Sequence, residues 1–319
     1  GSYAPGIITS QGIATAGNGQ GIWQVDCAVG GGYTLIAQVE DGVDDSGTVN
    51  TTVRVTLMDA FGAFVCNRMQ VFTNNSGASA AELLNLRVVY LSSKFYVFFG
   101  DDVNRDLKVW LLDVTSAATI TTAINTSGGG SSASPVTVAT DLHAATFPVF
   151  DAVASGNNGV FVCYKTTTPN ELKFGFVDSA GALASTSTIA GVIDATYVAV
   201  AVQSAALHGI AYSGTSVYAA IRSWSGAAWT STATSAAMDA AAAGLLACRF
   251  DSSTVLRVWY NSGSYAAGTE VVYQSTFTTA GVIATRDLRL RKGYLASRPF
   301  IANDSLLYFW SLDGLRADP

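Results

Sequence analysis

Apolar residues along this chain fall into two kinds of run. In Phe95-Tyr96-Val97-Phe98-Phe99 every position is apolar. That pattern predicts a β-strand covered on both faces, since aromatic and β-branched residues favour strands and a strand with one wet face alternates instead. Runs of the same kind are YTLIA at 33–37, GVFVCY at 159–164, LHGIAY at 207–212, VLRVWY at 255–260 and LLYFW at 306–310. Their starts lie roughly 48 to 65 residues apart, close to the ~40–50 residues of a propeller repeat with loop insertions. Five of these runs precede a second repeated piece, a hairpin, whose turns fall at residues 59–62 (DAFG), at Asp113, and at 178–181 (DSAG), 223–226 (SWSG) and 278–281 (TTAG). An Asp or Ser that opens such a turn bonds its own backbone, and Gly three positions on supplies the positive φ. Asp59 and Asp178 therefore read as turn-formers.

A further strand-like segment precedes each doubly apolar run, at 22–28, 86–91, 147–154, 195–203, 244–250 and 294–302. The repeating unit is thus four strands in chain order, with the doubly apolar run second. Residues 94–122 read as three strands of one unit, the third returning after a turn at 113–116. The last unit ends at Pro319 with its first two strands only, and residues 5–14 (PGIITSQGIA) are placed to supply the outer pair. Residues 74–82 and 127–135 read as loops, and the alanine-rich 236–244 as a short helix or an inner strand. A two-layer sandwich leaves one face of each sheet wet, whereas blades stacked around an axis cover both. The fold expected is all-β, a β-propeller of six four-stranded blades closed between N- and C-terminal strands, with five or seven blades as alternatives. A single domain of residues 1–319 follows, because no composition break divides the chain. The opening Gly1-Ser2 reads as a cloning scar, which suggests a domain excised from a larger protein.

Composition narrows the setting. Apolar residues make up 49% and charged residues 13% of the chain, against about 25% charged in an average soluble domain. Few lysines and much Ser, Thr, Gly and Ala suit a virion or extracellular protein. The net charge of −6 argues against sequence-independent nucleic-acid binding, which needs a cationic surface. No stretch of the sequence approaches the ~18 apolar residues of a membrane helix. Cys27, Cys66, Cys163 and Cys248 lie in apolar runs without zinc or redox spacing, so buried free thiols are expected, with a disulfide as the alternative.

Candidate chemistry is sparse. Two acidic stretches, 40–45 and 101–106, fall between the second and third strands of the first two units. Asp102, Asn104 and Asp106 have the alternating oxygen spacing that a cation such as Ca²⁺ accepts, without the glycine and distal glutamate of an EF-hand loop; a solvated loop is the other reading. Arg289 and Arg291 alternate with Leu288 and Leu290 within a basic segment, 286–298, and fit either a partner's carboxylates or a salt-bridged strand. Trp224 and Trp229 flank the turn at Ser225-Gly226, where they either present an apolar face to a sugar ring or pack between blades. Of the two histidines, His208 reads as a hydrogen-bonded core residue and His143 lies in a loop. Neither belongs to a Ser nucleophile motif or a metal-ligand pair, so no enzyme activity and no cofactor other than Ca²⁺ is expected.

Taken together, the six doubly apolar runs, the D-x-x-G and S-x-x-G turns and the lysine-poor composition make the chain resemble the β-propeller domains of bacteriophage tail and other virion proteins. It has no WD dipeptide ending a strand, no paired-glycine kelch signature and no complete Asp-box. The resemblance implies a structural or host-attachment module whose partners are other virion or surface proteins, and it carries over no site residue. A carbohydrate-binding propeller is the alternative, and a glycan-cleaving enzyme ranks third.

Overall fold

A computed structural model describes residues 22–43, 49–74, 83–101, 103–124, 133–143, 149–189, 195, 197–239, 242–262, 271–284, 287–291, 300–302, 306–311 and 314–318. Each sheet is an antiparallel meander in which neighbours in sequence are neighbours in space. The first comprises β1 (Ile22–Gly30), β2 (Tyr33–Val43), β3 (Val49–Asp59) and β4 (Phe64–Asn74). The second holds β5 (Leu83–Leu91), β6 (Lys94–Asp101), β7 (Asp106–Asp113) and β8 (Val136–Ala139), with the helix α1 (Ala117–Ala123) inserted before β8. The third is β9 (Phe150–Ala154), β10 (Val160–Lys165), β11 (Leu172–Val177) and β12 (Leu183–Ile189). The fourth is β13 (Tyr197–Ser204), β14 (Leu207–Ser213), β15 (Val217–Trp224) and β16 (Trp229–Thr234). The fifth is β17 (Ala242–Phe250), β18 (Val255–Ser262), β19 (Val271–Thr278) and β20 (Asp287–Arg291). The last has three strands among the described residues, β21 (Phe300–Ala302), β22 (Leu306–Ser311) and β23 (Gly314–Asp318). Each doubly apolar run is the second strand of its sheet.

The runs in β6, β10 and β14 are buried on both faces, whereas in β2 buried and half-buried residues alternate, and the difference has a direct cause. Alternate residues of one strand point to opposite faces, and in β6 each face meets a different neighbour. Phe95, Val97 and Phe99 pack with Leu35, Val53 and Leu57 of the first sheet. Tyr96 and Phe98 pack with Val160, Val162 and Val177 of the third. The next interfaces repeat the arrangement: Phe161 and Phe174 meet Val198 and Ile210, and Ala211 and Ile221 meet Leu256 and Val258. Five sheets therefore stack face to face in chain order. Within the stack β1 approaches β5, β5 approaches β9, β9 approaches β13 and β13 approaches β17. Among the described residues the fourth strands show no comparable approach, so the sheets converge on their first strands and fan apart outwards.

The hairpin turns form as their residues dictate. Asp59 Oδ1 accepts from the backbone N–H of Phe61 and Ala63, and Asp178 Oδ1 from those of Ala180 and Ala182. Gly62 and Gly181 close these turns at φ of +82° and +87°.

Four features differ from the sequence reading. After Asp113 the chain enters α1 instead of a return strand. Ser116 accepts from Thr119 N at 3.2 Å and caps the helix, Ile120 anchors it in the core, and β8 arrives later to complete the sheet. The last unit has a third strand, β23, beyond the two expected. The first acidic stretch is not all loop: β2 runs to Val43, and Glu40 is buried between Arg68 Nη2 at 2.7 Å and Arg54 Nε at 3.3 Å. The four thiols are free, yet Cys27 is exposed and Cys66 half-buried, because β1 and the start of β4 have an uncovered side. Residues 5–14, expected to complete the last unit, lie outside the described residues.

Candidate functional site

A shallow polar cleft of about 580 Å³ lies at the turn between β17 and β18. Its lining is Val202 and Gln203 from the end of β13, Arg249, Phe250, Asp251 and Ser252 from the end of β17 and its turn, and Arg257 from β18. Strand register builds it. Arg249 and Arg257 are cross-strand partners, and Trp259 lies two residues along the same face. Both guanidinium carbons sit over the Trp259 ring, at 5.5 and 5.7 Å from its centroid, the geometry of a cation–π contact.

Asp251 holds the pair together from the turn. Its Oδ1 accepts from Arg249 Nε at 3.2 Å and its Oδ2 from Arg257 Nε at 2.5 Å. Arg257 Nη1 donates to Gln274 Oε1 at 3.1 Å, while Trp259 is buried with its indole Nε1 unpaired. The side chains of Arg249, Asp251 and Arg257 keep 18%, 18% and 25% of their surface exposed. Two guanidiniums and one carboxylate thus meet at the turn.

The innermost strands carry a second charged group of a different character. Arg87 of β5 bridges Asp151 of β9 at 2.9 Å and Asp26 of β1 at 3.4 Å. Both carboxylates also accept a backbone N–H of the next sheet's first strand, Asp26 from Val88 and Asp151 from Val200, each at 2.8 Å. Burial works against the Arg87 charge, but Asp151 and then Asp26 outweigh it and hold the guanidinium above its usual value. These groups stitch neighbouring sheets together.

The tryptophans singled out in the sequence lie between sheets. Trp224 is 9% exposed, and the Trp229 ring has centroids of Phe174, Phe176, His208 and Trp224 within 4.9 to 5.1 Å. Trp229 Nε1 donates to the Ser185 carbonyl. Beneath them His208 is fully buried, with Nε2 at 2.7 Å from Ser155 Oγ, and burial pushes its imidazole down to about 4. It is the hydrogen-bonded core histidine that the sequence suggested.

Of the oxygens considered for Ca²⁺, Asp102 lies outside the described residues. Asn104 donates from Nδ2 to Asp101 Oδ2 at 2.8 Å, and Asp106 Oδ2 accepts from Lys108 Nζ at 2.8 Å. Among the described residues no cluster of three His, Cys, Asp or Glu could hold a metal ion. Arg289 and Arg291 are on β20, the outer strand of the fifth sheet, where a register shift interrupts the pairing with β19; their side chains lie outside the described part.

The cleft was within reach of the sequence. In Arg257-Val258-Trp259, strand alternation puts Arg257 and Trp259 on one face, and a short turn after Arg249 brings a second cation opposite. Read only as an apolar marker, the run conceals them.

No protein-family model matches the chain, and no curated protein matches it in sequence. Solved structures do share its general course. A Pyrococcus horikoshii acylaminoacyl peptidase matches at 8% identity and a TM-score of 0.46, over 90% of this chain and 42% of the peptidase. Trypanosoma rangeli sialidase matches at 11% and 0.49, over 93% of this chain and 54% of the sialidase. Aleuria aurantia lectin, a fungal six-bladed β-propeller with a fucose recognition mode, matches at 10% and 0.45, over 92% and 93% of the two chains. The chain thus spans less than half of the peptidase and about half of the sialidase. At such identities and scores the likenesses carry no activity or site residue to this chain, and none of the three is a virion protein.

Proposed function

We propose that this chain is a non-catalytic binding module built as a closed six-bladed propeller, which serves attachment in a virion or extracellular assembly. Closure is supported at one end of the stack. In β18, Leu256, Val258 and Tyr260 face the fourth sheet, yet Trp259 and Asn261 on the opposite face are also buried, so the fifth sheet needs a neighbour on its far side. At the other end β1 leaves Val25 and Val29 exposed, the face that closure would cover. In this reading the sheet of β21–β23 is the last blade and closes the ring between the fifth sheet and the first.

The observation that carries the functional reading is the contrast between the buried ionisable groups and the cleft. Asp26, Asp151, Glu40 and His208 are each engaged in bonds that hold strands together. A general acid or base needs a titrating group within reach of substrate. The cleft instead presents a fixed pair of guanidiniums and a carboxylate, a recognition surface. It favours carbohydrate as the class recognised, because sugar hydroxyls need donors and acceptors close together.

Screening the purified chain on a broad glycan array, beside hydrolysis assays on chromogenic glycosides and peptides, tests the reading. Binding without turnover is expected. Turnover of any of these substrates overturns the non-catalytic assignment, and silence across the array overturns the carbohydrate assignment.

A further inference from the structure

We infer that the tip of the β3–β4 hairpin is a peripheral membrane contact, in which Phe61 enters the surface of a bilayer with neutral headgroups. The tip lies apart from the polar cleft and does not depend on what that cleft binds. Ala60 to Val65 are exposed without interruption, and none of these six residues has a polar side chain. Phe61, at the apex, is 96% exposed. Ring closure does not cover it. The same turn, closed by the same pair of backbone hydrogen bonds, recurs at 178–182 and 278–282. The residues in the place of Phe61 there, Ala180 and Ala280, are exposed although a preceding sheet packs against each of those sheets. Phe64 is not part of the contact, because its counterpart Leu183 packs towards the preceding sheet.

Three properties of the tip point to lipid. First, its hydrogen bonds are complete within the turn: Asp59 Oδ1 accepts from the N–H groups of Phe61 and Ala63, the Asp59 carbonyl from that of Gly62, and the Ala63 carbonyl from that of Asp59. A protein interface carries about one hydrogen bond per 100–200 Å², which such a tip is poorly equipped to supply, whereas hydrocarbon offers no partner and admits backbone that needs none. Second, the aromatic ring sits at a convex apex already fixed by those bonds, so it enters a fluid surface without a matching pocket and with little ordering cost. Third, no ionised side chain lies between Asp59 and Arg68 in the chain, and the chain carries −6 overall. Nothing draws the tip to anionic headgroups, and the Asp59 carboxylate at its foot is repelled by them, so neutral headgroups are its complement. One ring and its small neighbours give a weak, reversible contact, of the kind that repeated copies in an assembly strengthen.

Flotation of the whole chain with phosphatidylcholine vesicles, which bear no glycan and no net charge, tests the inference. Wild type is expected to float with the vesicles, and Phe61→Ser to partition about tenfold less. The melting temperature of Phe61→Ser should be unchanged, because the ring is almost wholly exposed. Phe61→Trp is expected to keep binding and, with the wild-type spectrum subtracted, to emit at shorter wavelength on the vesicles and to be quenched by brominated lipid. Absence of wild-type flotation overturns the inference in favour of a protein partner for the apex. Equal flotation of Phe61→Ser, or binding without a shift in the Phe61→Trp emission, overturns the site. Tighter binding to vesicles that include phosphatidylserine overturns the choice of neutral headgroups.

Discussion

His208 has the clearest energetic signature of any single residue. Its folded imidazole titrates at about 4, against ~6.5 in an unfolded chain. The fold therefore favours the neutral ring, and the unfolded state binds the extra proton between those values. The stability that the neutral ring contributes is fully present above pH 6.5 and is lost as pH falls through 4. Urea unfolding at pH 5 should show a fold about 2 kcal/mol weaker than at pH 7.5 from this group alone. His208→Gln should flatten that dependence; an unchanged pH profile contradicts the buried, neutral assignment. Trp229 makes a different test. Because its ring is set among Phe174, Phe176, His208 and Trp224, Trp229→Ala should cost about 3 kcal/mol in stability. An exposed sugar platform would instead lose binding with the melting temperature unchanged. Flanking a polar turn, the two tryptophans looked accessible in the sequence. The burial of Trp224 and the half-burial of Trp229 depend on β11 of the previous sheet, about 50 residues away, which local pattern does not reveal.

At the scale of elements, the second strands and the hairpin turns were the most legible features. A strand with apolar residues on both faces has few soluble solutions, and Asp-x-x-Gly turns contain their own hydrogen-bond partners. The same turn nonetheless differs in energetic weight from sheet to sheet. Gly62 and Gly181 have nearly equal φ, but a methyl at Gly62 meets nothing within 4 Å, whereas one at Gly181 lies 3.1 Å from Val109 Cγ1 of the preceding sheet. Gly62→Ala should cost about 1 kcal/mol from backbone conformation alone, and Gly181→Ala about 2–3 kcal/mol. Equal losses in thermal unfolding would contradict the inter-sheet contact. The helix α1 was not legible, because Thr-rich TITT favours strand by propensity. The capping box at Ser116 and the burial of Ile120 decide it instead. The acidic stretch beginning at Glu40 misled for a related reason: charge suggests a loop until its partners Arg54 and Arg68, on two neighbouring strands, are in place.

Over the whole molecule, the repeat spacing and the doubly apolar second strands made a stack of sheets foreseeable, and the sheets approach one another at their first strands. The candidate cleft was less legible, since it depends on register between β17 and β18 and on a turn that presents Asp251 to both arginines. Ring closure is the central proposal, because a closed ring would hold the cleft between β13, β17 and β18 in place. Its most direct test is the unfolding free energy of the double variant Val25→Asp/Val29→Asp on the outward face of β1. Val25 and Val29 are exposed in the structure, but the proposed closure covers this face and forces both carboxylates against the last blade, and a loss of more than about 3 kcal/mol is expected. A change within about 0.5 kcal/mol, the value for an open surface, would contradict closure.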